Sequence, residues 1–376
     1  MQYGLMTYKY TINLGNEIQS IAARRFLPKI DHCIDHEKLH LFRNPEKVKM
    51  IMNAWYLDCL DSWPPSDDID PLLISMHFNT SVNDTKEVIL KKDSREFFES
   101  YGPVGCRDPS TLKLLRENDI DAYYSGCLTL TLDNKNPQYE PDNPYIAVNV
   151  FKPWQVIKYL RTKTDMPIYD VYQLTFNSFN PDYIKDKPDH YKLTSFYTED
   201  EKMFQAENFL AIYENASCVI TDRLHCALPC LALNTPVLFI DTAQYGLERL
   251  GGLTDFVRKA TFEDYKNDYS IFDVEKPAKN PDDYLKLRKD LIKRTKEFTG
   301  HINDSYLMND SNRLYDNINL LCKNSRKTKK YMRDVDSIIN DYQNEIEKKN
   351  RLIEEQKRKI EELENSKSGK FKLFKR

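Results

Sequence analysis

Residues 218–240 read Cys-Val-Ile-Thr-Asp-Arg-Leu-His-Cys-Ala-Leu-Pro-Cys-Leu-Ala-Leu-Asn-Thr-Pro-Val-Leu-Phe-Ile. The apolar runs Cys218–Thr221 and Pro236–Ile240 predict two buried strands, and the apolar segment between them predicts a helix. Because proline is tolerated only in the first turn of a helix, Pro229 predicts a helix start near Cys226. A strand, a helix and a second strand in this order predict two parallel strands of one sheet.

The same alternation extends over most of the chain and predicts an α/β fold. The predicted strands are Tyr3–Thr7, Leu72–Met76, Val104–Cys106, Tyr123–Leu132, Tyr145–Val150 and Met166–Tyr172, and the predicted helices include Ile18–Phe26, a helix after Asp108, Trp154–Leu160 and Glu199–Tyr213. Residues 133–144 interrupt the series with three prolines and three asparagines, which indicates a boundary. We therefore expect two Rossmann-like lobes, 1–143 and 144–300, with ligands at the carboxyl ends of the strands.

Beyond the second lobe the sequence becomes charged and helical. We expect a helical connector over 301–330, a coiled coil over 331–364 and a basic tail over 365–376. One heptad seam consists of Met332, Ile339, Ile346, Ile353 and Ile360, and the other consists of Val335, Tyr342, Lys349, Gln356 and Leu363. Isoleucine at one seam is typical of a two-stranded coiled coil, and it predicts a homo-oligomer. A solvated single helix with many ion pairs is the alternative.

The composition excludes several classes of protein. The chain has 376 residues, of which 40% are hydrophobic, so it can bury a core and is not wholly disordered. No stretch approaches the roughly 20 apolar residues of a membrane span. The first 25 residues lack the apolar block of a signal peptide, so we expect a cytoplasmic protein.

The charge is divided unevenly along the chain. Residues 321–376 carry 17 basic and 10 acidic side chains, a net +7, which leaves −10 for the other 320 residues of a chain whose net charge is −3. An acidic body argues against nucleic acid as a partner. The tail places Lys367, Lys370, Lys372, Lys375 and Arg376 among Phe371, Leu373 and Phe374. This pattern favours peripheral contact with an anionic membrane, and a solvated basic terminus is the alternative.

Metal and cofactor motifs are weak or missing. His36-Glu-Lys-Leu-His40 has the spacing of a zinc-binding helix, but Lys38 adds a cation and the flanks are not a long amphipathic helix, so we interpret it as a polar surface segment. No cysteine forms a C-x-x-C pair. No P-loop and no G-x-G-x-x-G motif is present, and we therefore predict no metal and no cofactor.

The loop between the two strands of the opening stretch carries the candidate chemistry. Arg223 offers a planar fork for phosphate or carboxylate, and His225 can hold or release a proton near neutral pH. Asp222 precedes them, and a helix N-terminus beside the loop favours anions. A structural Asp–Arg pair with an incidental histidine is the alternative.

Two further segments repeat this placement in the first lobe. Arg107 follows the Val104–Cys106 strand and is a second anion-binding candidate, with a structural pair to Asp108 as the alternative. After the first strand, Asn13, Asn16 and Gln19 provide neutral hydrogen-bonding groups that suit a ligand rich in hydroxyls; helix capping by an asparagine is the alternative.

Together these segments resemble the polysaccharide pyruvyl transferase family. The resemblance covers about residues 1–300. It rests on Asn13-Leu-Gly-Asn-Glu-Ile-Gln19, on Gly105-Cys-Arg-Asp108, and above all on Thr221-Asp-Arg-Leu-His225 with the Leu231–Val237 segment behind it. It implies an architecture similar to the two-lobed GT-B glycosyltransferases and transfer of a pyruvyl group from phosphoenolpyruvate to sugar hydroxyls as a ketal.

The resemblance also implies roles for the candidate residues. Arg223 and Arg107 would bind the phosphate and carboxylate of phosphoenolpyruvate, and His225 would protonate its methylene carbon. Asp222 would orient His225 or accept the proton of the sugar hydroxyl. Acceptors in this family are often lipid-linked glycans, so the tail would hold the enzyme at the inner membrane face. The alternatives are a GT-B glycosyltransferase that uses a nucleotide sugar and a coiled-coil assembly protein with a degenerate transferase body.

Overall fold

The structure of the protein is a computed structural model that describes residues 1–57, 60–79, 84–134, 144–174, 177–179, 193–242, 251–307 and 337–359. It forms two compact units, Met1–Asn319 and Leu320–Arg376. The first unit contains the sheets and all the candidate site residues, whereas the second carries the charged C-terminal region.

The strands follow the predicted alternation with helices closely. In chain order they are β1 Gln2–Thr7, β2 His32–Asp35, β3 Val48–Met52, β4 Trp55–Tyr56, β5 Ile69–Leu73, β6 His77–Phe78, β7 Val104–Cys106, β8 Ala122–Tyr124, β9 Ile146–Asn149, β10 Ile168–Asp170, β11 Asn177–Phe179, β12 Leu193–Ser195, β13 Cys218–Thr221, β14 Val237–Ile240 and β15 Arg258–Ala260. The helices are α1 Gly15–Arg24, α2 Thr85–Leu90, α3 Lys92–Tyr101, α4 Pro109–Arg116, α5 Pro153–Leu160, α6 Glu199–Asn215, α7 Leu224–Ala232, α8 Phe262–Asn267 and α9 Leu285–Thr299.

Two parallel sheets form the core of the first unit. One has the order β2-β1-β3-β5 and the other the order β10-β9-β13-β14-β15, with every pairing parallel. These strands are rich in valine, isoleucine, leucine and methionine, since helices cover both faces of such sheets. The predicted α/β class with parallel sheets is confirmed. The division into two lobes at residue 143 stays a prediction.

Each sheet has one point where the strand order reverses. The chain goes from β1 to β2 on one side and then to β3 on the other, so the reversal lies between β1 and β3. The second sheet reverses between β9 and β13 in the same way. In open parallel sheets, ligands bind beyond the carboxyl ends of the strands at such a reversal.

Helix α1 connects the two sheets because it packs against α6 and α7 of the second as well as β1 of the first. All ten of its residues are buried. Two ion pairs join α1 to α6 in the interior: Glu17 with Lys202, at 2.9 Å, and Arg24 with Glu207. Lys202 also donates to the main-chain oxygen of Tyr8. The start of α1 is therefore held between the carboxyl ends of both sheets.

Two predicted strands differ clearly from the structure. The predicted strand Leu72–Met76 is β5, three residues earlier, because β5 pairs with β3 from Ile69 onward. The predicted strand Tyr123–Leu132 ends at Tyr124. Gly126 adopts a φ of 70° there, which ends the extended backbone, and Leu128–Thr131 forms a 3-10 helix. The strands β2 and β3 were not predicted.

The described part of the second unit is a single helix over residues 337–359, with all its side chains exposed. Ile339, Ile346 and Ile353 are each about half exposed. Ion pairs one turn apart, such as Lys349 with Glu345, run along the helix. Helix formation here agrees with the heptad pattern, and pairing into a coiled coil stays a prediction. The predicted connector over 301–330 lies mostly outside the described residues, and the tail over 365–376 lies wholly outside them.

None of the helices in the described ranges is long and apolar enough to cross a membrane.

Candidate active site

The candidate site lies at the reversal point of the second sheet. Asp222 follows β13, and its N–H donates to the carbonyl of Asn149 at the end of β9, at 3.3 Å. The hydroxyl of Thr221 donates to the same carbonyl at 2.7 Å. The N–H of Phe151 donates to Oδ2 of Asp222 at 2.8 Å. These bonds tie the ends of the two central strands together and fix the direction of the Asp222 carboxylate.

Asp222 is 2% exposed, and burial raises the pKa of its carboxyl group. The Phe151 N–H and the charge of Arg223 act in the opposite direction. Arg223 Nε lies 3.1 Å from Asp222 Oδ1, and the Arg223 side chain is 27% exposed. A carboxylate with a raised pKa suits a group that accepts a proton, while Arg223 remains accessible to an anion.

His225 belongs to the first turn of α7, which begins at Leu224 with Arg223 at the N-cap position. The helix begins two residues before the predicted start near Cys226, so His225 lies in its first turn and not in the preceding loop, and Pro229 lies inside α7. The φ of −81° and ψ of 21° at His225 are not helical, so the first turn is irregular where the candidate side chains project. No described side chain caps α7, which leaves its first N–H groups facing the site.

The N-terminal loop closes over this site from the first sheet. Asn13 is exposed, forms a β-bridge with Leu174, and accepts the N–H of Gly15 at 3.0 Å through Oδ1. A Cβ at Gly15 would lie 2.8 Å from Gln173 Nε2 and 3.2 Å from His225 Cβ. The backbone at Gly15 therefore contacts the Asp-Arg-Leu-His loop so closely that a side chain does not fit without movement.

Asn16 and Gln19 differ in how much hydrogen-bonding capacity they retain. Asn16 is 6% exposed and donates through Nδ2 to Thr11 Oγ1 at 2.6 Å, so it holds the loop in place. Gln19 is fully buried and accepts from Arg107 Nη1 at 3.4 Å. Its Nε2 has no partner among the described residues. Gln19 lies one turn beyond Gly15 on α1, so the helix brings Arg107 towards the site around His225.

Arg107 is 2% exposed and follows β7. Its Nε lies 3.9 Å from Asp108 Oδ2 and makes no hydrogen bond within the described ranges. Its charge opposes the rise that burial causes in the pKa of Cys127. Buried arginine nitrogens are costly to leave unsatisfied, so Arg107 has capacity for an anion.

Asp108 caps the helix that follows it, as its position in the sequence predicts, and it also pairs with His77, which the motifs did not indicate. Asp108 is fully buried, caps α4 by accepting the Thr111 N–H, and lies 2.6 Å from His77 Nδ1. Burial alone raises the pKa of a carboxyl group, but His77, Arg107 and Ser110 lower that of Asp108 to about 2. His77 lies 31 residues earlier in the sequence, so only the fold brings the two side chains together.

A second group missed from sequence joins Gln173, Asn149 and Tyr213. Asn149 Nδ2 donates to Gln173 Oε1 and to Tyr213 OH, both at 2.7 Å. The acceptor role of Oε1 sets the amide orientation, so Gln173 Nε2 points at Gly15. Gln173 follows β10 within no recognisable motif, and no sequence signal distinguishes it.

The H-E-x-x-H segment is not the polar surface predicted from sequence, because His36 and Leu39 are buried. His36 Nδ1 lies 2.7 Å from Glu37 Oε1, and Nε2 lies 2.5 Å from the Trp55 carbonyl. Both ring nitrogens thus face protein acceptors. Among the described residues no three histidine, cysteine, aspartate or glutamate side chains group as metal ligands.

A cavity of about 730 Å³ lies elsewhere, lined by Asp67, Asp68, Asp93 and Glu96 among others. Asp68 precedes β5, so this cavity lies beside the amino ends of the first sheet. Ligand sites in parallel sheets form at the opposite, carboxyl edge. We therefore place the candidate site around Asp222 and not in this cavity.

Residues 76–244 match the family model described as polysaccharide pyruvyl transferase. This span contains Arg107, Asp222, Arg223 and His225, while the Asn13–Gln19 segment lies before it. Residues 76–244 therefore form a polysaccharide pyruvyl transferase domain, and the protein that carries it is an enzyme of that class. The resemblance predicted from the sequence is confirmed.

Two other comparisons add little. The crystal structure of a functionally uncharacterized protein from Klebsiella pneumoniae subsp. pneumoniae NTUH-K2044 is similar to this chain at 14% identity, covers 68% of this chain and 88% of its own, and has a TM-score of 0.42. A comparison with curated protein sequences gave no significant match.

Proposed function

We propose that the protein transfers a pyruvyl group from phosphoenolpyruvate to two hydroxyls of a sugar, forming a pyruvate ketal and releasing inorganic phosphate. The observation that carries the proposal is the position of α1. One turn of α1 places Gly15 against His225 and Gln19 against Arg107, so candidate groups that follow β13 and β7 converge around it. The family match makes sugar hydroxyls the expected acceptors.

Two cations are suited to bind the donor. Phosphoenolpyruvate carries a phosphate and a carboxylate, and the planar guanidinium groups of Arg223 and Arg107 match both geometries. Arg223 is partly exposed at the N-terminus of α7, whose first N–H groups have no side-chain cap. Helix N-termini of this kind favour anions. Within the described ranges, the buried Arg107 Nε and the Nε2 of its neighbour Gln19 both lack a hydrogen-bond acceptor.

The first step of the proposed reaction is a proton transfer to the donor. In the proposed reaction, His225 donates a proton to the methylene carbon of the donor, which makes the adjacent carbon electrophilic. A sugar hydroxyl attacks that carbon and gives up its proton, for which Asp222 has a suitably raised pKa. The C–O bond to phosphate then breaks, phosphate leaves with a proton, and a second hydroxyl attacks the same carbon and loses its own proton. The balance is one donor and one diol consumed, one ketal and one phosphate formed.

Phosphate release tests this proposal against the nucleotide-sugar alternative. Purified protein is incubated with phosphoenolpyruvate and a panel of sugars, and in parallel with uridine and guanosine diphosphate sugars. We expect phosphate release that requires both phosphoenolpyruvate and a sugar with two suitably placed hydroxyls. Release of a nucleoside diphosphate in the second set, with no phosphate in the first, would replace the ketal reaction with glycosyl transfer.

The proposal includes an assembly at a membrane. The exposed isoleucines of the helix over residues 337–359 are suited to pair with a second copy. Paired chains bring two basic tails together, and two weak attachments reinforce each other. In sedimentation, the full chain is expected to be a dimer and Ile346→Asp a monomer. In flotation with anionic vesicles, a chain that ends at Asn365 is expected to lose binding, and equal partitioning of both chains would remove the tail from the proposal.

A further inference from the structure

Exposed aromatic side chains gather at the carboxyl edge of the second sheet. Phe151 is 58% exposed, Trp154 is 64% exposed and Tyr172 is 68% exposed. Large aromatic side chains at this exposure lose much of the free energy that burial would provide, so a cluster of them indicates a binding surface. The other two tryptophans, Trp55 and Trp63, are each only 8% exposed.

The topology brings these three residues to one place. Phe151 lies two residues beyond β9, and Tyr172 lies two residues beyond β10. The strands are neighbours, and the N–H of Val171 donates to the carbonyl of Val148 at 2.8 Å, so their ends are level. Trp154 is the second residue of α5, which leaves β9 at the same edge.

The same edge carries the candidate acid–base groups. The Phe151 N–H donates to the carboxylate of Asp222, so the first aromatic residue is bonded directly to the proposed proton acceptor. A ligand that rests on Phe151 and Trp154 would therefore present its hydroxyls beside Asp222. Asn149 and Gln173, which are buried immediately below, add neutral polar groups and no charge.

We propose that Phe151, Trp154 and Tyr172 form an aromatic platform on which the sugar ring of the acceptor stacks beside Asp222. One face of a pyranose ring presents C–H groups, and the partly negative face of an aromatic ring attracts them while both exclude water. Neutral sugars bind in this way without a charged partner. The proposal rests on the proposed transferase function for the reaction that follows, but stacking itself does not require phosphoenolpyruvate.

The test measures glycan binding without turnover. The full chain is run in native gels that contain dextran, yeast mannan or arabinogalactan, which are uncharged polymers of glucose, mannose and galactose. We expect at least one polymer to retard the wild-type protein, with roughly tenfold weaker retardation of Trp154→Ala and Tyr172→Ala. Trp154→Phe is expected to recover most of the binding, because it keeps an aromatic face. Leu41→Ala, at 59% exposure outside the platform, serves as the matched control and is expected to run as the wild type.

Fluorescence provides a second measurement. Since Trp154 is far more exposed than the other tryptophans, the retarding polymer is expected to shift the emission of the wild-type protein and leave Trp154→Phe unchanged. The proposal is overturned if none of the polymers retards the wild-type protein, or if the wild-type protein and Trp154→Ala are retarded equally. Loss of binding of Trp154→Ala to anionic phosphatidylcholine–phosphatidylglycerol vesicles, with glycan retardation intact, also overturns it and assigns the platform to a membrane.

The two proposals fail separately. Glycan binding that depends on Trp154, in a protein that releases no phosphate from phosphoenolpyruvate, leaves the platform standing and removes the transferase reaction. If the protein releases phosphate and neither Trp154→Ala nor Tyr172→Ala changes the KM for the acceptor, the platform is removed and the transferase reaction stands.

Discussion

The two sheets present similar reversal points but very different surfaces. At the first, Tyr8 stacks on Trp55 with ring centres 5.2 Å apart, and His36 packs beside both. These rings are buried and fill the edge of the sheet. At the second, Arg223 remains accessible and Trp154 is largely exposed. One edge is closed by its own side chains, and the other is open to a ligand.

This difference indicates that the two sheets have different roles. Charged groups in the short sheets that follow the first sheet pair with one another, as His77 of β6 does with Asp108 after β7. Arg107 is the exception, because its Nε has no hydrogen-bond partner in the part of the chain that the structure describes and Gln19 connects it to α1. We infer that β7 and the paired groups around Asp108 mainly provide a rigid support that holds Arg107, while the second sheet provides the reacting groups.

Replacement of His225 by alanine is expected to have the largest effect, on the open edge. A general acid acts in the transition state, so kcat should fall about 10²–10⁴-fold while donor affinity changes little. Steady-state phosphate release and a binding titration measure the two quantities. His301→Ala, which removes a partly buried histidine far along the chain, is the control. A loss confined to donor affinity would make His225 a binding residue instead of the acid.

Replacement of Asp108 by alanine tests the closed edge. It removes the carboxylate that pairs with the buried His77 and caps α4. Breaking a buried pair in this way is expected to lower the free energy of unfolding by about 3–5 kcal/mol, measured by denaturant titration. Glu96→Ala breaks an exposed pair with Lys92 and should cost at most about 1 kcal/mol. Equal losses of stability in the two variants would contradict the distinction between a buried pair that supports the fold and an exposed pair that does not.

Replacement of Arg223 by lysine returns to the open edge. Lysine keeps the charge but loses the planar fork, so we expect a loss of about 2–4 kcal/mol in transition-state stabilisation with the fold intact. The ratio kcat/KM measures the loss of transition-state stabilisation, and the circular dichroism spectrum shows whether the fold is intact. Arg258→Lys, on the edge strand β15, is the matched control. Turnover at the wild-type rate in a folded Arg223→Lys protein would remove Arg223 from the site.

The smallest expected effect is the contribution of His36 to the pH dependence of stability. Burial lowers the pKa of its imidazole, but the hydrogen bond and charge of Glu37 and the carbonyl of Trp55 outweigh this and raise it. The stabilisation of the folded state by protonated His36 is therefore complete below the pKa of the unfolded state, about 6.5, and is lost as the pH rises through the pKa of the folded state. Unfolding titrations from pH 6 to 9 should show a decline in wild-type stability that is shallower in His36→Gln. Parallel curves would show that His36 stays neutral.

The sequence predicted the second sheet better than the first. The strand at Cys218–Thr221 has the predicted bounds because a short apolar run between polar loops leaves no other choice. In the first sheet, β2 has only one buried residue in four, so no hydrophobic pattern marks it. The 3-10 turn after Gly126 depends on a positive φ, which an apolar sequence does not reveal.

The candidate site shows the same limit. Asp222, Arg223 and His225 lie within four residues and could be found from one motif. The approach of Gly15 to His225 depends on how α1 packs between the sheets, and the contact of Gln173 with Asn149 joins separate strands. Such pairs come from tertiary packing, so no spacing along the chain predicts them.

A calorimetric titration with phosphoenolpyruvate tests the central claim most directly. The account predicts saturable binding of one phosphoenolpyruvate per chain, weaker binding of inorganic phosphate, which lacks the carboxylate, and binding weakened at least tenfold in Arg223→Lys. A chain that gives no heat with phosphoenolpyruvate but binds a nucleotide sugar would contradict it.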